Sequence, residues 1–186
     1  LSVEKITLTD YPTARRDFLT MADAFKAAKA PATDSSLAAQ KEAAEGILRF
    51  HGGQRKEAEA LMRRSLAEDQ FNHAALLYLG IIELSDSRFS DARKHLQLAA
   101  TTTGKGHLVT QLYLARAELA TGDPETARKR LQDVIDQDAT LVQASYSLAV
   151  LLRQQNLEGQ AIEELRKVVK ADPDYTPAKR ALANAG

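Results

Sequence analysis

Few side chains in this chain have the type and spacing needed for chemistry. Its four histidines are His51, His73, His95 and His107, and it has no cysteine. No histidine falls in a paired ligand spacing such as HExxH, so no metal site is expected and each reads as a surface or helix-packing residue. Thr103-Gly104-Lys105-Gly106 shares glycines and a lysine with phosphate-binding loops. The lysine is followed by glycine rather than Ser or Thr and no strand pattern precedes it, so the segment reads as a flexible junction. Glu163-Glu164 and the pair Asp136/Asp138 have the functional groups for acid–base catalysis. They sit on the polar side of helical patterns with no nucleophile set against them, as solvated faces do. Arg63-Arg64 and Arg128-Lys129-Arg130 are short basic clusters without interleaved aromatics, and Lys+Arg balance Asp+Glu at 25 each. Neither feature marks a nucleic-acid or anionic-membrane surface. The expectation is a non-enzyme that needs no cofactor.

The elements that carry these residues are helical. With 186 residues and 44% hydrophobic content the chain suits one domain with an ample core, yet aromatics are only 5% and tryptophan is absent. Much of the apolar content is alanine and leucine, strong helix formers. The most apolar stretch, Leu141 to Leu152, is interrupted by Gln143, Ser145 and Ser147 and is too short to span a bilayer, so no direct membrane insertion is expected. No signal-peptide pattern opens the chain. It starts at Leu1 rather than Met, which leads us to expect a processed form or an excised fragment. Composition suggests a bacterial source, and a soluble protein of the cytoplasm or the periplasm is expected, the compartment being left open.

An internal repeat organises the chain. Gly46-Ile47-Leu48-Arg49-Phe50 reappears 34 residues later as Gly80-Ile81-Ile82-Glu83-Leu84. Ala58, Met62 and Ser65 map by the same offset onto Ala92, Leu96 and Ala99. Leu114-Ala115 maps onto Leu148-Ala149, and Ala127, Leu131, Val134, Ile135 and Asp138 map onto Ala161, Leu165, Val168, Val169 and Asp172. Between the two pairs the step from Ala92 to Ala127 is 35, an insertion of one residue. Each unit reads as two amphipathic helices, with apolar residues at three- and four-residue steps on one face. Gly53 and Gly122 fall in turns, and Asp123-Pro124 and Thr176-Pro177 read as a capping residue followed by proline at the first helical position. Units are placed at 39–72, 73–106, 108–141 and 142–175, with a capping helix at 176–186. The first helix of the first unit is the least regular, because Glu42, Glu45 and Arg49 are expected to interrupt its apolar face. Residues 1–38 form an extended segment, then a helix over 10–29 (Ala14, Phe18, Met21, Ala22 and Phe25 as its stripe), then a break at Pro31 to Ser36.

This pattern resembles the tetratricopeptide repeat family, on its period, on Leu79-Gly80, on Ala58, Ala92, Ala127 and Ala161, and on Asp172-Pro173. The resemblance implies an all-α fold, an α-solenoid of stacked antiparallel helix hairpins in a right-handed superhelix. It also implies a concave groove lined by the first helix of each unit. The lining would be Ile47, Phe50 and His51, then Leu77, Ile81 and Leu84, then Leu112, Arg116 and Leu119, then Tyr146, Val150 and Arg153. Such a surface suits an amphipathic helix or an apolar peptide bearing an acidic group, although several of these side chains could instead pack between helices. Family members that clamp the carboxylate tails of heat-shock chaperones use asparagines at positions held here by Ile47 and Ile81, so that function is not expected. Arg49 and Glu83 occupy equivalent places, either paired across neighbouring helices or separately solvated.

Three functional readings follow. One is an adaptor that holds a protein or peptide in its groove. Another is a scaffold that self-assembles, a possible homo-oligomer, through end-to-end stacking, for which Ala178, Ala181, Leu182 and Ala185 would supply an apolar stripe. A third is a docking domain of a larger bacterial envelope or secretion protein.

Overall fold

The computed structural model describes residues 34–103 and 106–185, and every described element is an α-helix or a connecting turn. The expectations for residues 1–33 lie outside the described residues. Contacts divide the chain into a first unit ending at Thr103 and a second starting at Gly104. The first unit holds α1 (Asp34–His51), α2 (Arg55–Glu68), α3 (His73–Ser85) and α4 (Phe89–Thr103). The second holds α5 (Leu108–Ala120), α6 (Pro124–Gln137), α7 (Val142–Gln154), α8 (Glu158–Ala171) and α9 (Thr176–Ala183). Within each unit consecutive helices pack on one another: α1 on α2, α2 on α3 and α3 on α4, then α5 on α6, α6 on α7, α7 on α8 and α8 on α9.

The tightest contact in each hairpin of the first unit is built on a residue without a side chain. A Cβ added at Gly46 would lie 2.8 Å from the Met62 methyl, and one at Gly80 would lie 2.5 Å from Leu96 Cγ. Glycine costs about 1 kcal/mol in helix propensity relative to alanine. At Gly80 the missing methyl lets α3 meet α4 at a distance a side chain would forbid, whereas at Gly46 the end of the flexible Met62 side chain would have to move aside. The equivalent places in the second unit are Ala115 and Ala149, and the facing helices contribute Ala127 and Ala161, all fully buried. Leucines on either side fill the core: Leu79 and Leu96 in the first unit, Leu114, Leu131 and Leu165 in the second.

Every first helix of a hairpin ends the same way. A left-handed residue follows it: Gly53 (φ 78), Ser87 (φ 61), Gly122 (φ 84) and Asn156 (φ 59). The next residue then donates back five positions, Gln54 N to Arg49 O, Arg88 N to Glu83 O, Asp123 N to Glu118 O and Leu157 N to Leu152 O, at 2.8–2.9 Å. This is the Schellman closure, which satisfies carbonyls that the helix leaves without partners. Glycine takes the left-handed conformation freely and asparagine tolerates it, whereas Ser87 adopts it at a cost of about 1 kcal/mol or more.

The connections into the following hairpin share a second device. Asp69, Asp138 and Asp172 each close a helix and accept, through Oδ1, the backbone N–H two residues on (Phe71, Thr140 and Asp174) at 2.9–3.0 Å. Helix starts are less uniform. Asn72 caps α3 by accepting from Ala75 N, and Asp123 caps α6 by accepting from Thr126 N, as its Asp-Pro pair implies. Thr176 was expected to cap the last helix but is its first residue. The cap position belongs to Tyr175, whose ring is buried in the core, and the Thr176 hydroxyl donates to Asp174 O. A second difference concerns α1. It begins at Asp34, inside the stretch read as a break, and its Glu45 and Arg49 turn outward and its Glu42 is half-buried beside Arg64 while Ala39, Ala43, Gly46 and Ile47 form a continuous buried face. The charges therefore do not interrupt the apolar stripe.

Leu131→Ala should lower the unfolding free energy of the second unit by about 2–5 kcal/mol, read by urea denaturation, because the fully buried site leaves a cavity. Gly80→Ala should destabilise the first unit by about 1–3 kcal/mol in spite of the better helix propensity of alanine, since the facing Leu96 is itself fully buried and has no room to yield. A stabilising Gly80→Ala change would show that the close approach is not a constraint.

Candidate functional site

The side chains expected to line a groove divide by exposure. Ile47, Leu77, Ile81, Leu84 and Leu112 are no more than 6% exposed. Three of them lie on α3, where ten consecutive residues from Ala75 to Leu84 are buried, so that helix has no solvent-facing stripe. Ile47 and Leu112 are buried on α1 and α5, so all five side chains pack between helices. Phe50, His51, Arg116, Leu119, Tyr146 and Val150 are partly exposed, and Arg153 is exposed. What stays accessible of this lining is mainly aromatic and cationic, with Leu119 and Val150 partly exposed, and on α1 Leu37 and Leu48 are exposed as well.

In the first unit these accessible groups form one cluster at the end of α1. Phe50, His51 and Tyr78 meet edge-on in all three pairings, with ring centroids 5.4–5.8 Å apart and planes close to perpendicular. His51 Nε2 and the Tyr78 hydroxyl share a hydrogen bond of 3.2 Å. Burial lowers the pKa of His51 below the usual imidazole value, because the charged form loses water. In the second unit, Arg116 lies over the Tyr113 ring at 5.2 Å and donates from Nε to Ser147 Oγ at 2.9 Å, tying α5 to α7. Tyr146 packs edge-on to Tyr175, centroids 5.4 Å apart. Arg153 pairs with Glu158 at 3.5 Å at the exposed end of α7.

Two carboxylates are buried, and one of them, Glu83, was expected to be solvated or paired across neighbouring helices with Arg49. Glu83 is 1% exposed and its Oε2 lies 2.7 Å from His95 Nδ1. It does not reach Arg49, which pairs with Glu45 and donates to Gln54 in its own hairpin. Around Glu83, Glu59 receives Arg63 at 2.7 Å and Arg88 at 2.8 Å. Burial alone would raise the pKa of Glu59, but the hydrogen bonds and charges of Arg63 and Arg88 outweigh it and the net shift is downward. The Glu59 hydrogen bond likewise raises the pKa of Arg88. Thirty-five residues on, Glu118 repeats the arrangement at 2% exposure. Arg130 grips both its oxygens, Nε on Oε2 at 2.9 Å and Nη2 on Oε1 at 2.8 Å, and also donates to Gln111. Arg130 is thus a core ligand rather than part of a basic patch. A buried carboxylate persists only when its oxygens are bonded in this way. The internal signal was available in the sequence: Glu83 and His95 recur as Glu118 and Arg130 at the single 35-residue step.

The other histidines also have structural settings, His107 accepting from Thr110 N to cap α5. Among the described residues no group of three or more His, Asp or Glu is placed to hold a metal ion, and no helix is long and apolar enough to cross a membrane.

Residues 43–106 and 112–176 match the family model described as tetratricopeptide repeat. No curated protein matches the chain. Among solved structures, the chain is similar to YrrB, a TPR protein with an unusual peptide-binding site (21% identity, TM-score 0.66, 90% of this chain and 82% of that one covered). It is also similar to a thermophilic TPR protein from Thermus thermophilus (18% identity, TM-score 0.69, 80% and 81% covered). A third is the first TPR domain of Spaghetti (RPAP3) bound to an HSP90 peptide (17% identity, TM-score 0.60, 68% and 99% covered). At these identities the likeness is one of fold.

The His51 environment has a measurable consequence. Its folded pKa lies below the unfolded value of about 6.5, so the unfolded chain binds more protons just below that pH. Stability contributed by neutral His51 is present above about pH 6.5 and is lost as pH falls towards the folded pKa. Thermal midpoints between pH 7.5 and 5 should therefore fall less for His51→Gln than for the unmodified protein; equal slopes would remove the assignment.

Proposed function

Because the chain belongs to the tetratricopeptide repeat family, whose domains bind peptide or protein partners, we propose that it is a non-catalytic adaptor holding a peptide or short helix against the first helices of its hairpins. The observation that carries the reading is the character of what those helices leave accessible. Of the lining expected on those helices, the accessible groups are Phe50 and His51 in the first unit, with Leu48 exposed beside them, and Arg116, Leu119, Tyr146, Val150 and Arg153 in the second. Aromatic and arginine side chains dominate the energetics of protein recognition because they present large rigid surfaces together with a polar edge. The partner that suits them is apolar with an acidic group. The acidic group would meet Arg153, whose exposed pairing with Glu158 at 3.5 Å is weak enough to be exchanged. Two similar structures, YrrB with its peptide-binding site and the RPAP3 domain with its bound HSP90 peptide, support peptide binding as a use of this fold.

Self-assembly through the C-terminal end has less support. Ala178 of α9 is buried in the same cluster as Val142, Leu165 and Tyr175, and Ala181 and Leu182 pack against that cluster. Lys179, Arg180 and Asn184 remain outward. A helix that spends its apolar stripe on its own unit and shows polar groups outside acts as a cap.

Partner capture by cross-linking and mass spectrometry, followed by calorimetric titration, tests the adaptor reading. Phe50→Ala combined with Tyr146→Ala should weaken the captured partner by about tenfold or more, the scale of one or two interface anchors, with both units still folded by circular dichroism. Undiminished affinity in a folded double variant would show that the partner binds elsewhere.

A further inference from the structure

One side of α1 is open where the same side of the other first helices is closed. Leu37, Lys41, Ala44 and Leu48 are exposed, Leu37 at 38% and Leu48 at 59%. They stand on the side opposite Gly46, the point of contact with α2. At about 100° per residue, Ala44 and Leu48 lie about 200° round the helix from Gly46 in either direction, and Leu37 lies two and a half turns before it. The places of Ala44 and Leu48 are taken by Tyr78 and Ile82 on α3, by Tyr113 and Ala117 on α5, and by Ser147 and Leu151 on α7, none more than 8% exposed. The cover on α3 and α7 comes from preceding helices. Besides its own hairpin partner, α3 packs against α2 and α1, and α7 packs against α6 and α5. Among the described residues no helix precedes α1.

The chain ahead of α1 has what this side lacks. The sequence predicts a helix over residues 10–29, which lie outside the described residues, with Ala14, Phe18 and Phe25 in its apolar stripe. Read backwards, the steps from Phe25 to Phe18 and from Phe18 to Ala14 are seven and four residues. Read forwards, the steps from Leu37 to Ala44 and from Ala44 to Leu48 are also seven and four. Two antiparallel helices in that register set Phe25 on Leu37, Phe18 on Ala44 and Ala14 on Leu48, a large side chain against a small one at the last two contacts. Lys41, within the stripe, can lay its methylenes along it and carry its ammonium to the edge. The lengths match: a helix over 10–29 would run about 30 Å and α1, with 18 residues, about 27 Å. We propose that residues 10–29 of the same chain dock antiparallel on this side of α1 and close the open edge of the first unit. The connection favours the chain's own segment over a second copy. Residues 30–33 make a four-residue link, and the four-residue links 69–72, 138–141 and 172–175 each join two helices that pack on one another. So short a tether holds the segment at high effective concentration beside α1. The inference does not use the adaptor reading and stands or falls separately from it.

The chain has no cysteine, so engineered pairs report on this register without background. Leu37 and Leu48 are exposed, and replacing either leaves the buried face of α1 intact. In the full chain, Ala14→Cys with Leu48→Cys should form an intramolecular disulfide under mild oxidation at low protein concentration, read by non-reducing electrophoresis and peptide mass spectrometry. Ala14→Cys with Leu37→Cys is the control. It closes a shorter loop and would win if the segment were undocked, yet docking sets the two residues about 16 Å apart, beyond the roughly 7 Å that a disulfide spans. Adding Phe18→Asp to the first pair should slow its closure by about tenfold or more, the scale of one large apolar side chain. Equal or faster closure of the control pair overturns the proposal, as does closure of the first pair that Phe18→Asp leaves unchanged. A disulfide between two molecules in place of one within a molecule would assign the surface to a second copy and overturn the own-chain assignment.

Discussion

Everything in the two units depends on how closely paired helices approach. Gly80 brings backbone against the Leu96 side chain where a methyl would collide, Gly46 lies against the end of Met62, and the equivalent Ala115 and Ala149 of the second unit are fully buried. Interiors are close-packed, so a fixed separation between axes dictates which side chains fit on either flank. That is why leucines recur beside the contacts and why Ala58, Ala92, Ala127 and Ala161 face them without exposure. The accessible aromatic and arginine groups are placed by the same constraint. They stand on the turns of the first helices that the tight seam leaves over.

The polar groups inside the units follow a second rule. Glu83 and Glu118 sit on first helices and are met by a cation or imidazole from the second helix of the same hairpin. The charge does not add net stability over a well-packed apolar pair, but once buried it fixes which face of one helix meets the other, because any rotation would strand it.

Much of this was legible in the residues. The recurrence of Leu114-Ala115 as Leu148-Ala149 and the four alanines of the second helices gave the hairpins, and Asp123-Pro124 gave a helix start to the residue. The misses have physical causes. Periodicity counts a glutamate as polar and therefore outward, so it had no means of burying Glu83 or Glu118. The family resemblance lined a groove with Ile47, Leu77, Ile81, Leu84 and Leu112 because it carries over which helix faces the groove but not how much of that helix its neighbours cover; all five are buried, and α3 is enclosed over ten consecutive residues. Thr176-Pro177 was mistaken for a capping pair because proline is as acceptable at the second helical position as at the first, and a buried tyrosine, with no capping oxygen to offer, took the boundary instead.

The common turn geometry has a consequence for ancestry. Each hairpin reverses through one left-handed residue with the same two backbone bonds, and three of the intervening linkers close on an aspartate in the same way. A stretch of coding sequence copied in frame from one such turn to the next would arrive with both of its ends already shaped to fit its neighbours. Lengthening by duplication, or shortening by loss of a module, therefore requires no new connecting structure, and diversification is left to the side chains the seams do not use.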